Sequence, residues 1–318
     1  MYRYQKFIHL TVFVIIVAFT FNLDYNPFII NDAETVALSM KDTAKIDTSL
    51  YKEIIEKKSK YYEDPENAYI DRVWKKTPGR NGIQLNVDKT YEKMKKGKTF
   101  NESLVVLEQI SPEISLKELS PSPIYRGHPE KKMVAFLINV SWGTEHIPEI
   151  LNILKEEKIK VTFFIEGKWA KENTDIVKMI DEQGHIIGNH AYNHPDMARL
   201  SKQENMDQIK QTNDIIKAII GKTPVWFAPP SGSFTDEVVE IAHNLQMETI
   251  LWTVDTVDWK KPSVSVMINH VINNVHPGAM ILMHPTLPVV KGLKPMITEI
   301  KQLGYKISTV ETLLSNDR

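Results

Sequence analysis

The stretch Gly184-His-Ile-Ile-Gly-Asn-His-Ala-Tyr-Asn-His-Pro-Asp196 carries the most information about the fold. It opens on a short apolar run, His185–Gly188, which is typical of a buried strand. His190 and His194 follow, and two neutral imidazoles at this spacing can meet on one metal ion when a turn lies between them. Histidines that are hydrogen-bonded in a loop can have the same spacing. The spacing of His190 and His194 alone therefore does not identify a metal site.

Short apolar runs alternate with amphipathic stretches from residue 133 onward. The runs predict strands at Met133–Ile138, Val161–Ile165, His185–Gly188, Val225–Phe227, Glu248–Val254, Ala279–Met283 and Tyr305–Ser308. The stretches between them predict helices at Ile147–Leu154, Asp175–Gln183, Glu204–Ile220, Asp236–Leu245, Val264–Asn274 and Pro295–Leu303. This alternation predicts a parallel α/β fold, and seven strands favour a barrel over an open sheet. Because chemistry gathers after the strands of such barrels, we expect His190, His194, 255–259 and His284 to converge.

The first thirty residues predict export. Arg3 and Lys6 precede an apolar run from Phe7 to Phe21, which is the pattern of a signal peptide or signal anchor within residues 1–30. The run is shorter than the ~20 residues of a full membrane span, and no small-x-small cleavage site follows it. We therefore favour retention at the membrane by an uncleaved anchor over release. A buried hydrophobic helix is the alternative.

Composition narrows the classes of partner and chemistry. The 318 residues are 42% hydrophobic, which is ordinary for a globular protein. A net charge of −1 gives no reason to expect nucleic acid as a partner. The chain has no cysteine, which excludes disulfides, thiolate metal ligands and a thiol nucleophile.

The region between the N-terminus and the alternating pattern is less regular. Tyr69–Trp74 predicts a strand and Asp88–Met94 a short helix, but this segment has too few apolar residues to be stable alone. We expect it to pack on the main domain, while a solvated spacer that holds that domain away from a membrane is the alternative. The predicted organisation is a charged helical spacer at 31–66, a small segment at 67–124 and the main domain at 125–318.

Residues 133–310 resemble the NodB homology domain of polysaccharide deacetylases, carbohydrate esterase family four, and within it the sporulation-associated YlxY-type branch. Residues 184–195 resemble the metal-binding histidine motif, 252–259 the fourth motif and 281–284 the fifth. Phe164-Ile165-Glu166-Gly167 resembles the usual second strand. The resemblance implies a distorted (β/α) barrel of about seven strands, here preceded by a small N-terminal α+β segment.

The resemblance also implies roles for residues. In this family an Asp and two His hold a divalent metal, most commonly zinc, a second Asp accepts a proton from water, and a His protonates the departing amine. His190 and His194 match the metal ligands, His284 the general acid, and Asp258 the carboxylate that orients it. The implied ligand is an N-acetylated glycan of the peptidoglycan or chitin type. The substrate-binding candidates are Trp259, Leu282, Trp142 and Pro230.

Two departures from the family pattern remove side chains that deacetylation in this family uses. The first motif is normally Thr-Phe-Asp-Asp-Gly, but here Ser141 and Trp142 stand in place of both aspartates. An indole donates but cannot accept, so Trp142 cannot be a metal ligand. Ala228 replaces the Arg that pairs with the missing base. The base and its Arg partner are expected to be lost together, because an Arg without its carboxylate would be an unpaired, partly buried charge.

Three functions therefore remain open. His190 and His194 could hold a weak metal site completed by Glu145, water or substrate, and a metal-bound water could then attack without the base. Alternatively no metal is bound, and an inactive deacetylase fold binds glycan in the old groove. The third possibility is a membrane-tethered scaffold for an unidentified protein partner. Asp255 is expected to be a loop or capping residue, and Trp252 a core residue.

Overall fold

The computed structural model describes residues 47–318. Helices α1 to α10 span Thr48–Glu56, Val87–Met94, Ile147–Glu156, Gly167–Glu172, Thr174–Glu182, Lys202–Ile220, Asp236–Asn244, Val264–Asn274, Leu287–Gln302 and Val310–Leu314. Strands β1 to β12 span Tyr69–Asp71, Lys75–Thr77, Gly82–Leu85, Leu107–Ile110, Met133–Val140, Thr162–Ile165, Ile186–Asn189, Trp226–Phe227, Glu248–Thr249, Val254–Asp255, Met280–Met283 and Lys306–Ser308. No helix within this range is long and apolar enough to cross a membrane. The predicted signal or anchor and the first part of the spacer lie outside these residues.

Of the described residues, 47–57 and 87–105 form one compact unit. Its helices α1 and α2 bury Leu50, Ile54 and Met94. The Tyr51 and Tyr91 rings meet edge to face, with centroids 5.5 Å apart. Helix α2 begins one residue before the predicted Asp88–Met94 helix and ends where predicted.

Residues 58–86 and 106–318 form the second unit. Seven parallel strands run in the order β10-β11-β5-β6-β7-β8-β9, and β12 pairs with the first residues of β5. The sheet curls into a half-barrel, which confirms the distorted seven-strand barrel predicted from the alternation and the family resemblance. Five of the six predicted helices lie close to their predicted bounds, and α9 is the exception.

Strand β5 shows how the apolar run at its position builds the core. Successive side chains of a strand point to opposite faces, so both faces of β5 must be covered for the run to be stable. Phe136 and Ile138 pack with the surrounding helices, whereas Ala135 and Leu137 pack inside the curl. The two clusters hold β5 rigidly, so the residues that follow it are well positioned.

Three predicted elements differ from the structure. The predicted strand Tyr69–Trp74 is a hairpin, because the Asp71 carboxylate accepts the backbone N–H groups of Val73 and Trp74 and forms a turn. The predicted strand Glu248–Val254 is two strands, since Ile124 pairs with Ile250 in the interval. Helix α9 begins at Leu287, with Thr286 as its N-cap, and not at Pro295.

Candidate functional site

His190 and His194 lie on the loop directly after β7. Ala191 and His194 adopt left-handed backbone angles, with φ of 59° and 57°. This conformation folds the loop back, and the two imidazole centroids lie 5.2 Å apart. The His190 Nδ1 atom is 2.7 Å from the Ala228 carbonyl oxygen, which can only accept a hydrogen bond. Nδ1 therefore carries the proton, and the Nε2 lone pair of His190 is available to a ligand.

Both imidazoles are neutral near pH 7. Burial lowers the pKa of His190 to about 3, and the nearby His194 contributes to the same shift. Burial also lowers the pKa of His194. His284 contributes to both shifts, so the three histidines share one environment, as predicted. The neutral imidazole is the form that binds metal.

His284 follows β11 and forms a pair with Asp258. Its Nδ1 lies 3.1 Å from Oδ1 of Asp258, which is completely buried. The Thr256 hydroxyl donates to Oδ1 at 2.5 Å, and the Thr286 hydroxyl donates to Oδ2 at 2.9 Å. These donors satisfy a carboxylate that would otherwise be costly to bury. Neither threonine was predicted from the sequence, although the Thr-Val-Asp spacing and the helix N-cap position of Thr286 were visible signals.

Trp142 covers one face of His284. The two rings stack with centroids 5.9 Å apart and planes inclined by 10°. The next residue, Gly143, has a φ of 76°, and a Cβ atom there would lie 2.1 Å from the Pro285 carbonyl oxygen. Glycine is required at this contact, so the loop after β5 is held against the end of β11 and keeps the indole on the imidazole.

A cavity of about 670 Å³ opens beside this stack. Trp142, Asp258 and Trp259 line it, and the Trp259 side chain is 51% exposed. Trp259 stands on a turn with left-handed residues at both ends, Val257 and Lys261, at φ values of 53° and 54°. Such residues cost roughly 1–3 kcal/mol each and concentrate at functional sites. The Asp255 carboxylate accepts the Val257 N–H at 2.8 Å, which is the loop role predicted for Asp255.

Two of the predicted substrate-binding residues lie below this surface. Leu282 is a buried residue of β11 and packs with Ala228 inside the curl of the sheet. Pro230 is also buried, and neither residue lines the cavity. Trp252 packs against the cluster that contains Leu282, as predicted for a core residue.

The residues present do not fit a tightly held metal. Between residues 47 and 318, no three His, Cys, Asp or Glu side chains are grouped so that they could hold an ion. Glu145 lies 3.7 Å from His146 and does not complete the pair of His190 and His194, so that hypothesis is wrong for this structure. Protein zinc sites use three or four protein ligands. The missing ligand corresponds to the position of Trp142.

The chain is similar to known proteins over almost its whole length. The family model described as polysaccharide deacetylase matches residues 126–250. Protein YlxY of Bacillus subtilis (strain 168) is 44% identical over 99% of both chains. A peptidoglycan-N-acetylglucosamine deacetylase of Bacillus cereus is 33% identical over 61% of this chain and 72% of its own.

Solved structures from the same family are also similar to this chain. The wild-type form of a CE4 family pseudoenzyme from Bacillus anthracis is 49% identical, with a TM-score of 0.79 over 85% of this chain and 96% of its own. A mutant of that pseudoenzyme is described as having restored enzymatic activity, and it is 48% identical to this chain with a TM-score of 0.79. It covers 85% of this chain and 99% of its own.

Proposed function

Because this chain belongs to the polysaccharide deacetylase family, carbohydrate esterase family four, we propose that it binds an N-acetylated glycan of the peptidoglycan type and does not deacetylate it. Relatives named as peptidoglycan deacetylases support the choice of glycan. The relative described as a pseudoenzyme supports the loss of turnover.

The observation that carries this proposal is the indole of Trp142 on His284. Amide hydrolysis needs an activated nucleophile, a stabilised oxyanion and a protonated leaving amine. The pair of His284 and Asp258 retains the third of these, since Asp258 can hold the imidazole ready to donate a proton. The activated nucleophile and the stabilised oxyanion depended on the aspartates that Ser141 and Trp142 replace. His190 and His194 alone do not supply either of them.

Two exposed tryptophans supply a surface for sugar rings. Trp142 is 48% exposed, and Trp259 is 51% exposed on the same cavity. Exposed indoles bind the apolar faces of ligands, and a cavity of about 670 Å³ is in the range of small-ligand sites. The loss of chemistry therefore leaves a site that still has the shape and the groups for a glycan.

Calorimetry with chitotetraose tests the proposal. We expect weak binding by the wild-type chain and about fivefold weaker binding by Trp259→Ala, because one ring contact contributes about 1 kcal/mol. Tyr62→Ala is the matched control, since Tyr62 is 47% exposed and does not line the cavity. No acetate should be released from the same ligand.

Two results would count against the proposal. Acetate release at rates typical of an active deacetylase would show that the site still turns over. An absence of binding to every N-acetylated glycan tested would favour the scaffold function.

A further inference from the structure

The hairpin of β1 and β2 presents an apolar tip to solvent. Val73, in its turn, is 66% exposed, more than any other large apolar side chain of residues 47–318. Tyr69 and Ile70 on β1 are also exposed. Because neighbouring side chains of a strand point to opposite faces, solvent reaches both faces of β1. A protruding apolar tip of this kind marks an interaction surface.

The turn of this hairpin is held in one conformation by its own residues. Oδ1 of Asp71 accepts the backbone N–H groups of Val73 and Trp74, both at 2.7 Å. Lys75 ends the turn with a φ of 59°, a backbone angle that glycine adopts without strain and lysine does not. The chain therefore keeps a lysine where the local conformation favours glycine, and strain retained in this way is found at functional sites.

The tip has an excess of positive charge. Arg72 and Lys75 are exposed in the turn, and the guanidinium carbon of Arg126 lies 5.3 Å from the centre of the Trp74 ring. None of these three cations has a carboxylate within ion-pair distance among residues 47–318, and Nε of Arg126 is buried without a hydrogen-bond partner there. Asp71 is the one carboxylate of the hairpin. Hydrogen bonds from the turn, first that of the Trp74 N–H, lower the pKa of Asp71, and the charges of Arg126 and Lys75 add to this shift. Three cations thus accompany one carboxylate, which the turn already uses.

Two aromatic rings lie beside the tip. Trp74 and Tyr125 are half-buried, and their rings meet edge to face with centroids 6.4 Å apart. Tryptophan and tyrosine concentrate at the boundary between lipid and water, because each has an apolar body and a polar group. Surfaces that bind anionic bilayers combine apolar side chains for the acyl boundary, cations for the lipid phosphates and aromatic rings for the level of the headgroups. This hairpin has all three.

We propose that the hairpin of β1 and β2 docks on an anionic lipid bilayer. Val73 and Ile70 enter the boundary between headgroups and acyl chains, while Arg72, Lys75 and Arg126 pair with lipid phosphates. A soluble polyanion would satisfy the cations but leave the apolar tip in water, so a bilayer is the better partner. Docking requires neither glycan binding nor the apolar run at the N-terminus, and it is therefore independent of the proposed function.

A single fluorescent label can report docking, because the chain has no cysteine. Tyr69→Cys places an environment-sensitive label on β1 and leaves the turn unchanged. The full-length labelled protein is added to vesicles of phosphatidylcholine alone, or of equal parts phosphatidylcholine and phosphatidylglycerol. With the anionic vesicles we expect a blue shift of the emission and quenching by a nitroxide-bearing lipid. Both should weaken as NaCl is raised, because salt screens the cations. The same label on Lys178→Cys, at an exposed position of α5, should show neither change.

Variants in the Tyr69→Cys background test each part of the surface. Val73→Ser should lower the ratio of docked to undocked hairpin about tenfold, because apolar burial is lost. Arg72→Gln should lower that ratio about fivefold. Lys75→Gly should also lower it about fivefold, but it relieves the strained φ and should not unfold at a lower temperature than its parent. This variant separates lost docking from lost folding. Lys217→Gln is the matched control, since Lys217 is exposed on α6.

Three results would overturn the proposal. One is a label that the nitroxide lipid does not quench in anionic vesicles, whether or not the chain sediments with them. Another is equal quenching in neutral and anionic vesicles that Arg72→Gln leaves unchanged, because charge would then have no role. The third is the same emission change with polyphosphate in the absence of lipid, without quenching by the nitroxide lipid, since the partner would then be a soluble polyanion.

Discussion

At the scale of single residues, Trp142 has two separate consequences for the chemistry. It removes an oxygen ligand from the neighbourhood of His190 and His194, and it places an aromatic ring on the imidazole of His284. The histidines themselves retain the arrangement of metal ligands, because the Ala228 carbonyl holds His190 in the tautomer that leaves Nε2 free. The site is therefore short of a ligand, with its remaining groups still well ordered.

This arrangement predicts weak metal binding. We expect less than one zinc per chain after purification, and loss of that zinc on dialysis against a chelator, because two imidazoles alone do not close a protein site. His190→Ala should abolish the remainder. Metal content measured by atomic emission checks both statements, with the exposed His270→Ala as the control. Stoichiometric zinc that survives the chelator would contradict this prediction. It would require a third ligand that residues 47–318 do not place beside the two histidines.

Restoring the side chains lost from the first and third motifs should first increase metal binding and then restore deacetylation. Trp142→Asp alone should raise zinc affinity with little turnover. The triple variant Ser141→Asp, Trp142→Asp, Ala228→Arg should release measurable acetate from N-acetylated oligosaccharides, because residues of one catalytic unit are strongly non-additive.

The Arg is the difficult change in that series. Ala228 is 2% exposed and packs among apolar side chains, so Ala228→Arg alone should cost about 3 kcal/mol through overpacking and an unpaired charge. Adding Ser141→Asp should recover part of that loss, which thermal unfolding can measure. A folded, zinc-loaded triple variant without activity would place the defect elsewhere, in the groove or at His284.

Two buried histidines make stability dependent on pH. The pKa of His185 is lowered to about 4, first by burial and then by the charge of Lys160, and that of His190 is lowered to about 3. The unfolded chain, with histidine pKa values near 6.5, therefore binds protons first as the pH falls. The contribution of these two histidines to the free energy of unfolding is fully present above about pH 6.5. It declines toward pH 4 by roughly 1 kcal/mol per pH unit for each histidine.

His185→Asn tests this pH dependence. The amide oxygen of asparagine can accept the Val161 N–H as Nδ1 does now at 3.2 Å, but it does not titrate. Urea unfolding between pH 7.5 and 4.5 should show a shallower decline for this variant. The exposed His270→Asn should follow the wild type. Identical slopes for all three proteins would contradict the prediction, because they would mean that the pKa of His185 is the same in the folded and unfolded chain.

At the scale of elements, the site is assembled from the ends of β5, β7, β10 and β11, which the parallel sheet brings to one edge. Each loop is short and is held by a specific contact, such as the fit of Gly143 against Pro285 or the turn closed by Asp255.

At the opposite end of the strand order, a buried ion pair joins β9 to the hairpin of β1 and β2. Lys76 on β2 donates to both carboxylate oxygens of Glu248, at 2.7 and 2.8 Å.

This ion pair predicts a large effect from a single substitution. Lys76 is completely buried and Glu248 is 20% exposed, so Lys76→Met leaves an unpaired carboxylate and should lower the free energy of unfolding by about 3 kcal/mol. The double variant Lys76→Met, Glu248→Gln should recover most of the loss. Lys294→Met, which breaks the exposed pair with Glu156, should change nothing measurable. Urea denaturation of the four proteins is the measurement. A wild-type stability for Lys76→Met would mean that the hairpin contributes little to the unit.

At the scale of the whole molecule, the N-terminal residues predict where the protein acts. Arg3, Lys6 and the apolar run lie outside the described residues, and an exported protein held at the membrane by this segment stays a prediction. The link to sporulation also stays a prediction. Fractionation of cells that carry a C-terminal reporter should place the chain in the membrane fraction, accessible to protease from outside. A soluble reporter in the cytoplasm would contradict it.

Much of the architecture could be predicted from the sequence because its signals are local. Alternating apolar runs predicted the strands of the barrel, and the motifs around His190 and His284 predicted which loops meet. Helices Gly167–Glu172 and Val310–Leu314 were missed, since they are too short to show a helical period. Helix α9 was predicted eight residues late, because Pro295 lies within a helix that its Thr286 N-cap already starts.

The sequence by itself determined the fold class, the pair of histidines and the loss of both motif-one aspartates, because each is a property of neighbouring residues. Only the tertiary structure decided that Trp142 stacks on His284, that two threonines satisfy Asp258, and that Leu282 lies below the surface. It also decided that Lys261 and Lys291 share a cavity with two indoles. These contacts join loops that are far apart in the chain, and their distances depend on the curl of the sheet.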